Sequence, residues 1–133
     1  MAAEGCVEWL EAKPGRVIGQ VVLAAADIDA DYFMQALAPP LTAGAERITV
    51  YVAADDKALA VAGQLHNGTR IGATVVEIPG VDTVEVSLTN EDLMQHSYYA
   101  TSSFMLRDLA LVLQGTTASE RSLVRVGGHD MLK

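Results

Sequence analysis

Three side chains in this sequence of 133 residues have the types and placing that chemistry needs: Asp55, Asp56 and His96. The two carboxylates interrupt the stretch RITVYVAADDKALAVAGQL, Arg47 to Leu65. An apolar, β-branched run stops at them, and a helical pattern starts at once. In open α/β sheets the residues just past the carboxyl end of a strand are where ligands and reacting groups gather. His96 falls in a polar loop after a further apolar run, so the two loops are expected to open at the same end of one sheet. An aspartate that orients an imidazole, and an imidazole that takes a proton from a nucleophile, form the acid–base half of a catalytic triad. The nucleophile is what the residues do not supply. No G-x-S-x-G occurs, so the strained strand-to-helix turn that exposes a reactive serine has no counterpart. Ser87, Ser97, Ser102, Ser103, Ser119 and Ser122 lack that setting, and Cys6 lies in a start with little expected structure. No glycine-rich loop is present to cradle a phosphate.

Each of these residues has a plainer reading. Asp55 and Asp56 serve equally well as helix N-caps, because a carboxylate there accepts from the free N–H groups of the first turn. His96 reads equally as a solvated loop residue. Asp27, Asp29 and Asp31 resemble a calcium comb, but the sixth place has no glycine and the twelfth no glutamate, which excludes an EF-hand and leaves a cap-rich turn. His66 sits at an expected helix end, where positive charge is favoured. His129 is expected to be solvated in the tail, and Tyr98 and Tyr99 to pack with wet hydroxyls.

The elements that must position these groups follow from periodicity. Met1 to Pro14 reads as a short helix closed by Pro14-Gly15. Gly19 to Ala26, GQVVLAAA, is a continuous apolar run of the kind that forms a strand buried on both faces of a parallel sheet. A helix capped by Asp29 or Asp31 should follow, with Phe33 and Leu37 on one side and Pro39-Pro40 as its stop. Ile48 to Ala54 is the second strand. A helix from Asp55 or Asp56 should bury Leu59, Ala62 and Leu65 and end at Asn67-Gly68. Val81 to Ser87 is the better candidate for the third strand, near the sheet edge by its alternation. The last helix, capped by Ser102 or Ser103, should bury Phe104, Leu106, Leu109, Ala110 and Leu113 and end at Gly115. The order β-α-β-α-β-α predicts an α/β fold with three, or four, mainly parallel strands and right-handed crossovers.

Composition narrows the classes. Half of the residues are hydrophobic, enough for a core, and the formal net charge is −8. That balance speaks against nucleic acid and against an anionic membrane surface. One cysteine allows no disulfide framework. The longest purely apolar run, Val21 to Ala26, is far short of the roughly 20 residues that span a bilayer. A soluble, cytoplasmic protein is expected, with neither a cofactor nor a metal. The first strand is as apolar as a central one, so left at an edge it would invite a second copy or a partner chain.

Four segments taken together, GQVVLAAADIDADYF, ITVYVAADDKALAVAGQLHNGTRIG, PGVDTVEVS and HSYYATSSFMLRDLALVL, resemble the carboxyl-terminal half of a bacterial α/β-hydrolase family. Its members are esterase- or lipase-like and are grouped as domain of unknown function 900. The resemblance implies a partial α/β-hydrolase fold over residues 15–115, with 1–14 an unrelated or remnant start and 116–133 a tail. It implies Asp56 as the triad acid and His96 as the triad histidine. Asp55, where the family often has Asn, and Asp27, near the pocket, are second choices. It also implies an oxyanion-hole loop and serine elbow ahead of the strand Gly19 to Ala26, and the eighteen residues before Gly19 match neither. The expectation is a truncated hydrolase of serine-esterase type, a fragment or one half of a split protein, inactive alone. The alternative is a structural or interaction module that oligomerises, or pairs with a separate first half, through the exposed strand.

Overall fold

The computed structural model describes residues 2–15, 17–24, 26–53, 68–86, 103–126 and 129–132. The calls on Asp55, Asp56, the helix Leu59–Leu65, His66, His96, Tyr98 and Tyr99 lie outside them. The frame is one sheet of five strands: β1 (Ile18–Ala24), β2 (Ala45–Val52), β3 (Val81–Val86), β4 (Val124–Val126) and β5 (His129–Leu132), in the order β1-β2-β3-β5-β4. β1, β2, β3 and β5 run parallel, and β4 is antiparallel to β5. The register aligns Val21 with Ile48, Val50 with Thr83 and Val84 with Asp130.

One face of the sheet packs under α1 (Ala2–Ala12) and the chain from α2 (Ala30–Tyr32) to α3 (Ala38–Gly44). Side chains alternate along a strand, so Val21, Ile48, Val50 and Val52 share this face and meet Phe33, Leu37 and Leu41. Burying a side chain such as fully enclosed Phe33 stabilises the fold by about 1.5–3 kcal/mol. Asp29 caps α2, its Oδ1 accepting from the Tyr32 N–H at 2.9 Å. Pro39-Pro40 does not stop the helix. The chain widens into a π-type turn at Phe33–Leu37, where the Ala38 N–H donates to the Phe33 carbonyl, and α3 starts afresh with the prolines in its first turn. Proline is tolerated there because those N–H groups have no intrahelical acceptor. At the far end of α3, Gly44 approaches α1 closely: a Cβ there would lie 2.7 Å from the methyl groups of Leu10, and that side chain would have to shift.

The opposite face packs under α4 (Ser103–Leu113). Tyr51, Ala53, Val84, Val86 and Leu132 meet Met105, with Leu109 alongside. The expected stripe of α4 is corrected here. Its buried residues are Met105, Asp108 and Val112, while Phe104, Leu106 and Leu113 are exposed. The helix ends at Gly115 with φ of 83°, a left-handed conformation that glycine adopts without strain. Arg47 Nη1 donates to the Gly115 and Thr116 carbonyls, both at 3.0 Å, and so ties the turn after the helix to β2.

Two further corrections concern the sheet. β3 is its middle strand, flanked by β2 and β5, because residues after Thr116 are not structureless: they form a 3₁₀ turn at Ala118–Glu120 and then β4 and β5. The crossovers also differ in hand. The step from β1 to β2 passes over one face through α2 and α3, and the step from β3 to β5 passes over the other through α4. Both steps move the same way across the sheet, so only one can be right-handed. The rule of handedness applies to simple β-α-β units, which the first step is; the second contains β4. Among the described residues no helix is long and apolar enough to cross a membrane.

Candidate functional site

Parallel strands bring their carboxyl ends to one side of the sheet. β1 ends at Ala24, β2 at Val52 and β3 at Val86. Across the ends of β1 and β2 lies residues 68–74, fixed by backbone bonds. Ile71 N–H donates to Ile28 O at 3.0 Å, Gly72 N–H to Ala26 O at 3.1 Å, and Ala53 N–H to Gly72 O at 2.9 Å. Ala30 N–H donates to Thr69 O at 2.7 Å. The point from which the chain enters residues 54–67 is therefore fixed: Ala53 is fully buried and hydrogen-bonded. Asp55 and Asp56 follow two and three residues later, and His96 lies in the segment that leaves the carboxyl end of β3.

Asp27 is the one expected site residue that the structure describes. It follows β1 at the same end of the sheet, and its Oδ1 lies 3.2 Å from Arg70 Nε. The Asp27 side chain is half exposed and that of Arg70 is largely buried. The pair sits on the backbone bridge between Asp29 and Arg70, so it closes the loop after β1 onto residues 68–74. The two groups are close but not aligned as a hydrogen bond. Asp29 is occupied as a cap, and Asp31 stands in the first turn of α2. Among the described residues no group of three or more His, Cys, Asp or Glu side chains is arranged to hold a metal ion. Cys6 is partly buried on α1, which packs along the helical face of the sheet and not at the strand ends.

Two clusters escaped the sequence. The first is buried beneath α4. Tyr51 Oη donates to Asp108 Oδ2 at 2.6 Å, and Arg121 Nε lies 3.1 Å from Asp108 Oδ1. That ion pair is close but not aligned as a hydrogen bond, and none of the three guanidinium nitrogens has a hydrogen-bond partner. The Tyr51 phenol is pushed well above its ordinary range, first by burial, then by its bond to Asp108 and the charge of that carboxylate, with Arg121 opposing. The cluster ties β2, just before the Asp55-Asp56 turn, to α4, just after the His96 segment. A signal existed: Asp108 lies at helical spacing from Met105 and Val112, the face that is buried. An apolar count passes over a charged residue there.

The second cluster corrects the reading of His129. It is not solvated: its Nε2 lies 2.8 Å from Glu85 Oε2, and both side chains are mostly buried. The pair spans the seam between β3 and β5, beside a cleft of about 410 Å³ lined in part by Glu77, Asp82, Arg125 and Asp130. Thr83, two residues along the same face, donates its hydroxyl to Val76 O at 3.1 Å, so it is not free to act as a nucleophile. Nothing in the sequence around His129 announced the pairing, which depends on the tail joining the sheet.

β1, β2 and β3 run parallel, and in sequence the Asp55-Asp56 pair follows the second of them and His96 the third. No curated protein and no solved structure gives a significant match. A family model described as alpha/beta hydrolase of unknown function (DUF900) matches residues 6–113. The match starts within α1 and runs to the last residue of α4, so it takes in both expected loops. The chain belongs to this family of alpha/beta hydrolases of unknown function.

Proposed function

We propose that these residues are the acid- and histidine-bearing part of a carboxylic-ester hydrolase of the serine type, with Asp56 orienting His96, and that they do not turn over ester by themselves. The observation that carries this reading is the shared carboxyl end of β1, β2 and β3, from which both loops depart. Family membership supports it. An oriented imidazole without a nucleophile or oxyanion donors lacks the two largest contributions to acyl transfer. Asp55 then serves as the cap of the following helix, and Asp27 lines the site through its clamp on Arg70. The same reading puts the chain in the cytoplasm, where its single thiol stays reduced. The purified chain is expected to show no turnover of short p-nitrophenyl esters and no labelling by a fluorophosphonate; labelling at any serine overturns the proposal. If a separate chain supplies the nucleophile, His96→Ala must abolish the activity of the reconstituted pair.

A second reading is favoured by one observation, the position of β1. It stands at the end of the sheet and pairs only with β2 among the described strands. An apolar strand so placed is a site for a second copy or for a partner chain. Light scattering at micromolar concentration is expected to show a species larger than a monomer, and a stable monomer counts against this reading.

A further inference from the structure

Among the described residues, Arg121 stands out because its whole buried head group lacks a hydrogen bond. The side chain is fully enclosed. Asp108 compensates its charge from one side only, with Oδ1 3.1 Å from Nε. The other oxygen of that carboxylate already accepts from Tyr51. The end of the fork, Nη1 and Nη2, is left over. A buried donor without an acceptor is costly, and a charged donor more so. The parallel N–H bonds of such a fork donate to both oxygens of one carboxylate.

Arg121 also lines a cleft of about 460 Å³, together with Ser119, Leu123, Arg125, Asp82 and Asp130. Asp82 and Asp130 each stand next to the first residue of their strand. The cleft therefore lies at the starts of β3 and β5, at the opposite end of the sheet from Ala53 and Val86. Its two carboxylates are already held. Arg47 Nε lies 3.7 Å from Asp82 Oδ2, and Arg125 Nη1 donates to Asp130 Oδ1 at 3.4 Å. The charges around the cleft balance: Arg47, Arg121 and Arg125 against Asp82, Asp108 and Asp130. One added negative charge is tolerable there. A dianion would load a neutral cluster twice over, in a chain whose formal net charge is already −8. A cleft of this size falls in the range of small organic ligands.

We propose that this cleft binds a small monocarboxylate, whose two oxygens accept from Nη1 and Nη2 of Arg121. Those nitrogens are sealed from bulk water, so the ligand enters by displacing the rim. The mobile part of the rim is Arg125, whose side chain is 64 % exposed; it closes over the bound anion and adds its charge. The inference rests on neither reading above, since it uses none of the residues they assign.

The test is a titration of the full chain at neutral pH with sodium acetate, against sodium chloride at matched ionic strength, followed by calorimetry and by the urea midpoint. Acetate is expected to bind saturably and to raise the midpoint, as a ligand of the folded state does; chloride is not. Asp108→Leu combined with Arg121→Met removes the guanidinium without stranding its carboxylate, and should lose acetate binding altogether. Arg125→Gln changes an exposed side chain and should weaken acetate about threefold, the effect of one screened charge. No saturable binding overturns the proposal, because the fork is then met by water alone. Binding that the paired variant keeps overturns it by placing the site elsewhere. Inorganic phosphate bound more tightly than acetate overturns the assignment to a singly charged ligand. Should the paired variant fail to fold, Arg125→Gln decides: an unchanged acetate affinity overturns the proposal.

Discussion

The two faces of the sheet are built from different materials. Under α1, α2 and α3 the buried side chains are apolar, from Phe33 and Leu41 to Ile48, Val50 and Val52, except for Thr83, whose hydroxyl is satisfied by the Val76 carbonyl. Under α4 the same strands bury Thr49, Tyr51, Asp108 and Arg121, and several of their polar atoms are unsatisfied: Thr49 Oγ1 and all three guanidinium nitrogens of Arg121, with Gln20 Oε1 on the same side. The first face is held by packing, which is non-directional and tolerates repacking. The second is held by groups that are costly to bury unless they meet in one arrangement. That face joins the two chain segments on which the acid and the histidine are expected.

Four experiments break or sharpen this contrast. The largest effects come from one truncation on each face. Phe33→Ala should cost about 3–5 kcal/mol by opening a cavity, and Asp108→Ala a similar amount, about 3–5 kcal/mol, by leaving the Arg121 charge buried and alone. Urea unfolding midpoints measure both. They part company in the second test. Adding Arg121→Met to Asp108→Leu should recover most of the loss, because an apolar pair removes the charges together, whereas no second substitution on the Phe33 side is expected to act so strongly. A double variant as unstable as Asp108→Ala would show that packing, not charge, dominates under α4.

Third comes Tyr51→Phe, which deletes a hydrogen bond to a charged acceptor and should cost about 1.5–3 kcal/mol. It also carries a pH signature. Because the folded phenol has its pKa raised, the folded state holds that proton more tightly than the unfolded chain. Its contribution is complete below the ordinary phenol value near 10 and falls as pH rises above it, by at most about 1.4 kcal/mol per pH unit. Denaturation followed from neutral to alkaline pH should show that decline in the wild type and a flatter profile in Tyr51→Phe. The smallest effect belongs to the site end. Asp27→Asn should lower stability by no more than about 1 kcal/mol, since the half-exposed partner of Arg70 is well screened. A loss several times larger would make that clamp part of the core.

Much of the fold was legible because hydrophobic runs and breakers mark it locally. GQVVLAAA and ITVYVAA mark the strands Ile18–Ala24 and Ala45–Val52, and Gly115 ends a helix by its own backbone freedom. The ends of the strands that precede Asp55-Asp56 and His96 in sequence were legible for the same reason. What escaped depends on distant partners. Pro39-Pro40 looks like a stop until the π-type turn before it resets the helix. Asp108 looks like a surface charge until Tyr51 and Arg121 stand opposite. VRVGGHDML looks aperiodic because short strands repeat too few times to show a period, and only the open side of β3 gives them a place.

The unlike hands of the two crossovers have a consequence for how the molecule opens. Everything from α4 onward reaches the sheet by passing beneath it. It is joined there by the short ladder of Val84–Val86 with Asp130–Leu132, by the Tyr51–Asp108 bond and by Arg47 at the end of α4. β1 and β2 reach this segment through Tyr51 and Arg47 and through the packing of Val22, Ala24 and Ala53 on the Met105 cluster, while the helices above them do not touch it through any of these links. The α4–β4–β5 segment is thus a cooperative unit of its own. It should come away as a body while β1 and β2 stay paired, and its amides should exchange with solvent at a lower free energy than those of Ile48 to Val52.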